Sequence, residues 1–354
     1  MLVFVHELGH FLAAKWAGIK VSEFGLGFPP RIFSRTYGET TYSLNAIPFG
    51  GFVRIFGETP DQASISGPES ERSFVNKPRW IQAAVLAAGI AFNVIFAWLV
   101  ISGGFVVGLP TAVDAAPANA TVQDAHVVVT SVIKGSPAEK AGLAAGDQIL
   151  GIRAGADSLR ASLDPAAVQD FIAGHPAAPI TLELQRGSAK KEAVVVPAQG
   201  IVTGKPAIGI SMDMIGVLRL SVPRALWEGG KLTISLIQEV AVGLGTFLGK
   251  ALTFHADFSQ VTGPVGIVSV VGSVSQLGFV YLMSFMAYIS INLAVINLIP
   301  FPALDGGRLL LVIVEGIKGS PIRPKVANAI NGIGFALLIL VMAVVTVHDV
   351  LKLL

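Results

Sequence analysis

The chain has long apolar stretches towards both ends and a segment of alternating polar and apolar residues between them. Residues 81–108, 279–299 and 330–351 each supply the roughly 20 apolar residues that a helix needs to cross a bilayer. A fourth stretch, residues 1–19, has only five residues before His6 and lacks the basic region and cleavage site of a signal peptide. We interpret it as a transmembrane helix whose start is truncated or misplaced. The pattern predicts a polytopic α-helical membrane protein with about four transmembrane helices.

The segments between these stretches differ in character. Residues 40–56 alternate around a Pro-Phe-Gly-Gly break, which predicts a hairpin. Residues 125–215 read as short strands, glycine turns and one helix, which predicts an inserted α+β domain. Residues 223–254 are amphipathic and rich in glycine, which favours an interfacial helix over a span. The predicted order is a first membrane half (1–108), a linker (109–124), the α+β domain (125–215) and a second membrane half (216–354).

Composition agrees with a membrane protein and removes several classes of site. Charged residues make up 14% of the chain, against about 25% in an average soluble protein. The net charge of +2 and the lack of a basic aromatic patch give no reason to expect a nucleic-acid partner, whereas a lipid bilayer is expected. There is no cysteine, so any metal must be held by His, Asp or Glu.

Basic residues predict the orientation. They cluster at residues 15–20, 77–79 and 308–325, which lie on the same side of a four-span topology. Short basic loops are retained in the cytoplasm. Residues 125–215 are therefore predicted to lie on the opposite, extracytoplasmic side.

The sequence HELGH at residues 6–10 matches the zinc-protease pattern H-E-x-x-H. On a helix, His6 and His10 share one face, so both can bind one cation with Glu7 beside them. Three ionisable groups within five residues of an apolar segment are costly and usually functional. A catalytic zinc has three protein ligands, so this pattern predicts Zn²⁺ with Glu7 as the general base and one more ligand elsewhere.

Asp305 is the candidate for that third ligand. It follows an apolar span, in a stretch broken by prolines and by Gly306 and Gly307. Irregular backbone at membrane depth is tolerated where protein buries it or where it lines a wet cavity. Asp305 alone also fits a helix N-cap. His10 lies near Lys15 and Asp305 near Arg308, so the predicted depths agree and favour the ligand.

Taken together, these motifs resemble a known family. HELGH, IPFGGFVRIFGE, TGPVGI and NLIPFPALDGG follow one another as in the site-2 proteases, and most resemble the bacterial RseP-like zinc proteases. The resemblance implies a zinc metalloendopeptidase of the bacterial cytoplasmic (inner) membrane that acts in regulated intramembrane proteolysis. It also implies that His6, His10 and Asp305 bind zinc, that Glu7 is catalytic and that Asn297 holds substrate. The implied substrates are transmembrane proteins, either anti-sigma factors or remnant signal peptides.

The resemblance also suggests an interpretation of the inserted domain. GSPAEKAGLAAGDQILGI, at residues 135–152, places a Gly-Asp turn between a short helix and a strand, as in PDZ domains. PDZ domains bind peptides by adding a strand to a sheet edge. Whether this PDZ-like domain binds a peptide or screens substrates by size stays open at this point.

Other interpretations remain for individual residues and for the whole chain. Asn297 also fits a hydrogen bond between helices of the bundle. For the chain as a whole, the alternative to a protease is a transporter or scaffold that has a structural metal, because broken helices occur in such proteins too. A second alternative is a PDZ-type adaptor whose protease half is inactive. The first alternative does not explain Glu7, and the adaptor would be marked by loss of a ligand or of the glutamate, whereas all four residues are present.

Overall fold

The protein is described by a computed structural model for residues 1–59, 61–160, 163–202, 205–253, 255, 263–320 and 322–353. It divides into two compact units. The first consists of Met1–Ile101, Gly229–Ser269 and Phe285–Leu354, and the second of Ser102–Glu228 and Val270–Ser284.

The helices, in chain order, are α1 (Leu2–Trp16), α2 (Gln62–Ser66), α3 (Arg79–Val107), α4 (Pro137–Lys140), α5 (Pro165–Gly174), α6 (Val222–Leu252), α7 (Pro264–Leu277), α8 (Phe279–Leu298), α9 (Asp305–Lys318) and α10 (Pro324–Leu353). The strands are β1 (Val21–Tyr37), β2 (Thr40–Ile55), β3 (Leu109–Ala112), β4 (Val122–Val132), β5 (Gln148–Ala154), β6 (Asp157–Leu159), β7 (Ile180–Arg186), β8 (Ala189–Val195), β9 (Ala198–Val202), β10 (Lys205–Ala207) and β11 (Ile210–Leu218).

Among the described residues, four helices are long and apolar enough to cross a membrane: α3, α6, α8 and α10. Three of them confirm the predicted spans. The fourth differs from the sequence interpretation, because α1 has 15 residues and at 1.5 Å per residue reaches only about 22 Å. The segment predicted to be an interfacial helix forms α6, a continuous 31-residue helix without the interruption that its glycines suggested, and it is a candidate span by length and composition only. Phe254, at the end of that predicted segment, and Thr262 of TGPVGI lie outside the described residues.

The predicted hairpin belongs to a longer two-strand sheet made of β1 and β2. Its turn joins Tyr37 to Thr40, and register shifts let the first part of β1 pair with both halves of β2. Phe24 therefore lies opposite Tyr42 on one side and Val53 on the other. Within the described chain, the segment from Gly51 to Ile55 has a strand neighbour on one side only.

A buried apolar cluster fixes α1, this sheet, α3 and α9 against one another. The members that are buried are Ala14, Ile19, Val21, Ile55, Phe74, Val85, Leu86 and Val312. Each Val, Leu, Ile or Phe side chain that such a cluster removes from water contributes about 1.5–3 kcal/mol. The cluster therefore gives the first unit a packed centre beside the HELGH helix.

The second unit contains a seven-stranded sheet with the order β3-β11-β4-β5-β7-β8, and β6 pairs with β5. Its core includes Val127, Ile149, Leu182 and residues of α5 such as Val168. The sheet extends beyond 125–215 at both ends, because β3 starts at Leu109 and β11 ends at Leu218. Fully buried Asp147 accepts two hydrogen bonds from Arg186, at 2.5 and 2.7 Å, which raise the pKa of that guanidinium.

Candidate metal centre

Three side chains from the two ends of the sequence meet in the first unit. His6 and His10 project from one face of α1 and are buried, and Asp305 is the first residue of α9. Oδ2 of Asp305 lies 2.9 Å from Nε2 of His6 and 3.2 Å from Nε2 of His10. The two Nε2 atoms are 3.1 Å apart. In the described part of the chain, no other His, Asp and Glu residues bring three ligand atoms this close together.

The spacing of these atoms fits a zinc ion. Zinc binds His nitrogen and carboxylate oxygen at about 2.0–2.2 Å in tetrahedral geometry. Neighbouring ligand atoms of such a tetrahedron are about 3.3 Å apart. The observed triangle of 2.9, 3.1 and 3.2 Å is close to that size, and two imidazoles with one carboxylate leave a fourth position open, as catalytic zinc sites require.

One face of α3 sets the position of the His10 ring. Nδ1 of His10 donates a hydrogen bond to the carbonyl oxygen of Val85 at 2.8 Å, which leaves the lone pair of Nε2 directed at the cluster. One turn later, Gly89 leaves room for the ring, since a Cβ there would lie 2.7 Å from Cε1 and 2.9 Å from Cδ2 of His10. Gly9 of α1 is equally close, because its Cβ would lie 2.5 Å from the carbonyl oxygen of Ala88. The two helices therefore approach through glycine.

The broken segment before α9 positions Asp305. Ala303 has a φ of +74°, a conformation that costs an L-residue about 1–2 kcal/mol. At the start of α9, a Cβ on Gly306 would lie 2.5 Å from the carbonyl carbon of Leu298, and Gly307 is similarly close to Phe301. Contact between backbones, rather than between side chains, therefore fixes the place of Asp305.

Arg308 connects this helix to the segment after the hairpin. It forms an ion pair with Glu58 and also donates to the Glu58 carbonyl oxygen at 2.9 Å. The side chains are each about a quarter exposed. The ion pair joins the element that carries Asp305 to the end of β2.

Glu7 lies next to the cluster and is not one of the three converging groups. It is close enough to His6, His10 and Asp305 to interact with them electrostatically. Its Oε2 accepts a hydrogen bond of 3.0 Å from the backbone N–H of Val53. That N–H points away from β1, so Glu7 is held at the edge of the sheet that has no strand neighbour.

The fifth predicted residue, Asn297, is separate from this cluster in its contacts. It is half-buried in α8, and within the described chain its carboxamide makes no hydrogen bond. Asn93, which the sequence reasoning did not select, contacts the cluster instead: it is fully buried, and Nδ2 lies 3.2 Å from Nδ1 of His6. The sequence signal that could have identified Asn93 is a carboxamide in the middle of an apolar span.

The chain is similar to known proteins over almost its whole length. The family model described as peptidase family M50 matches residues 1–341. A membrane metalloprotease of Arabidopsis thaliana chloroplasts, ARASP, is 34% identical over 361 residues, covering 99% of this chain and 77% of its own length. The zinc metalloprotease RasP of Geobacillus kaustophilus is 28% identical over 415 residues, covering 99% and 95%. A proposed zinc metalloprotease of Clostridium perfringens is 33% identical over 358 residues, covering 99% and 95%.

Proposed function

Because the chain belongs to peptidase family M50 and is a zinc metalloprotease, we propose that it is an intramembrane endopeptidase. It cleaves peptide bonds in or near the transmembrane segments of other membrane proteins. His6, His10 and Asp305 hold the zinc ion. The observation that carries the assignment is the triangle of ligand atoms with sides of 2.9, 3.1 and 3.2 Å.

The protein side chains around that triangle have distinct tasks. When bound, zinc supplies Lewis acidity and makes water a nucleophile near neutral pH. Glu7 takes a proton from the attacking water and delivers it to the leaving amine nitrogen, as the new C–O bond forms and the C–N bond breaks. The contact between Val53 N–H and Glu7 supports this role, because it holds the carboxylate beside the cluster without using both of its oxygens.

The edge of the sheet supports a way to hold the substrate. A peptide bond in a regular transmembrane helix is shielded by its own hydrogen bonds, so the substrate has to unwind locally before hydrolysis. An unwound segment can add to the free side of the strand from Gly51 to Ile55. Since Val53 in that strand contacts Glu7, a segment bound there lies beside the general base. Asn297, whose carboxamide has no partner in the described chain, holds part of the freed backbone.

The α+β domain at residues 125–215 is proposed to be a PDZ-like domain on the extracytoplasmic side. Between α5 and the start of β11 lies a groove of about 280 Å³, lined by residues such as Ile172, Ile208 and Met212. The strand β3 pairs with β11 only from Ile215 onwards, and the N–H of Val113 donates to the carbonyl oxygen of Met214. Among the described residues, the start of β11 from Ile210 to Asp213 therefore has a free edge, and residues 210–212 line the groove. A groove beside a free strand edge favours peptide recruitment over a screen based on size alone.

The proposed location is a bacterial cytoplasmic membrane that α1, α3, α8 and α10 cross, with amphipathic α6 at its interface. This topology places the loop from α9 to α10 in the cytoplasm. The basic residues in and near that loop support this orientation. The proposed substrates are transmembrane proteins, either anti-sigma factors or remnant signal peptides.

Substitution of Glu7 by glutamine tests the enzymatic proposal. The amide keeps the size and the hydrogen bond to Val53 and cannot accept the proton from water. Zinc content measured by mass spectrometry is expected to stay at about one per chain, whereas cleavage of a model transmembrane substrate in detergent falls by about 100- to 10,000-fold. Glu71→Gln, at an exposed carboxylate of the same unit, is the matched control and retains full cleavage.

The outcomes separate the candidate functions. Full cleavage by Glu7→Gln would exclude Glu7 as the base. Zinc binding without cleavage by the wild-type protein would instead favour the transporter or scaffold, which needs a metal but no hydrolysis.

A further inference from the structure

Asn93 is buried at a place where a polar side chain is expensive. It lies in the middle of α3, it is fully buried, and one of its two amide atoms has no hydrogen-bond partner in the described chain. The other amide atom lies 3.2 Å from Nδ1 of His6. Buried polar atoms in native proteins are rarely left without partners, so the burial of an asparagine at this position needs an explanation.

Packing between helices does not explain why residue 93 is an asparagine. Ser290 of α8 donates a hydrogen bond of 3.0 Å to Asn93, but its acceptor is the backbone carbonyl oxygen. Any residue at position 93 offers the same acceptor. The contact that depends on the carboxamide itself is the one with His6.

The two histidines of the cluster have the same requirement. A neutral imidazole that binds metal through Nε2 carries its proton on Nδ1 and needs an acceptor there. His10 has that acceptor in the carbonyl oxygen of Val85. His6 has Asn93 at the same position, two helical turns further along the same face of α3.

We infer that Asn93 is the positioning residue for His6, accepting the Nδ1 proton through its side-chain oxygen and thereby directing Nε2 at the metal. This assignment needs the carboxamide turned so that oxygen faces the ring, a rotation that exchanges two atoms of nearly equal size. The inference rests on the proposed zinc site at His6, His10 and Asp305. Within that site, α3 supplies the outer partners of both histidines, one from its backbone and one from a side chain.

The test compares substitutions at position 93 that differ in their ability to accept a hydrogen bond. Asn93→Leu keeps the volume and removes the acceptor, and Asn93→Asp keeps an acceptor. Zinc affinity is measured for the full chain in detergent by competition with a chromogenic chelator. Loss of an outer partner typically lowers metal affinity by about 10- to 100-fold, so we expect that loss for Asn93→Leu and an affinity within about threefold of wild type for Asn93→Asp. The Co²⁺-substituted proteins report the same change independently, as an altered d–d absorption spectrum for Asn93→Leu.

Controls separate this role from packing and from the zinc site itself. Ser290→Ala removes the contact between α8 and α3 but leaves the carboxamide, so zinc affinity is expected to stay at the wild-type value. If Asn93→Leu does not fold, Asn93→Ala serves as the acceptor-free variant. Wild-type affinity in the acceptor-free variant, or equal weakening by Asn93→Asp, would overturn the inference. A wild-type protein that binds no zinc would instead overturn the proposed metal centre.

Discussion

Replacement of Gly89 by alanine adds one methyl group against the His10 ring, with Nε2, the proposed metal-binding nitrogen, as the nearest atom. The new Cβ would lie 2.7 Å from Cε1 and 2.9 Å from Cδ2, whereas carbon atoms in contact sit at about 3.5 Å or more. The ring therefore has to withdraw by at least roughly 0.6–0.8 Å, because Nε2 lies closer to the new Cβ than either carbon atom. Zinc–ligand distances tolerate about 0.2 Å, and the hydrogen bond to Val85 prevents the ring from turning away freely.

Gly89→Ala is therefore expected to lower zinc affinity at least about 100-fold, the upper end of the loss seen when only an outer partner is removed. Overpacking costs about 1–3 kcal/mol, and alanine regains about 1 kcal/mol of helix propensity, so the zinc-free protein stays folded. Chelator competition measures the affinity, and thermal unfolding of the zinc-free protein checks the fold.

Gly103→Ala is the matched control on the same helix. A Cβ at position 103 meets no atom within 4 Å, so this variant is expected to keep wild-type zinc affinity. If Gly89→Ala also binds zinc as tightly as the wild-type protein, the close packing of His10 against α3 does not hold the metal site in place, and that part of the reasoning is refuted.

Three further predictions concern other parts of the chain. Arg186→Ala leaves the buried carboxylate of Asp147 unpaired, so stability to thermal unfolding should fall by about 3 kcal/mol; an unchanged transition would mean that this ion pair does not stabilise the second unit. Because the chain has no cysteine, Gln148→Cys should react with a membrane-impermeant reagent from outside the cell and Lys318→Cys should not; the reverse result contradicts the proposed orientation. If the PDZ-like domain recruits substrates, deletion of residues 125–214 should reduce cleavage of all of them. If the domain screens substrates by size, the deletion should increase cleavage of those with large external domains and leave the others unchanged.

The sequence predicted the parts of the candidate site that depend on local spacing. His6 and His10 lie four residues apart on a helix, so their shared face follows from the helical period. Asp305 could be predicted as the third ligand because His10 lies near Lys15 and Asp305 near Arg308, which places both at the same depth in the membrane. These side chains do form the expected cluster, although His10 and Asp305 are 295 residues apart in the sequence.

The residues that were missed depend on how helices cross. Asn93 and Gly89 contact His6 and His10 only because α1 and α3 approach through glycines, and hydrophobic period does not specify that crossing. A similar limit applies to the continuity of α6. The glycines of α6 suggested an interrupted helix, but each lowers helix propensity by only about 1 kcal/mol, which the length of the apolar face outweighs.

The close backbone contacts at the start of α9 have a consequence for genetics. A random mutagenesis screen for lost proteolysis identifies the positions that tolerate little change, whether or not their side chains take part in the reaction. At Gly306 and Gly307 the smallest possible addition already collides with the backbone of residues 298–302, so every missense change there displaces Asp305. Such a screen would place two residues with no reactive group in the same phenotypic class as the metal ligands, and zinc content would be the measurement that tells a displaced ligand from a missing one.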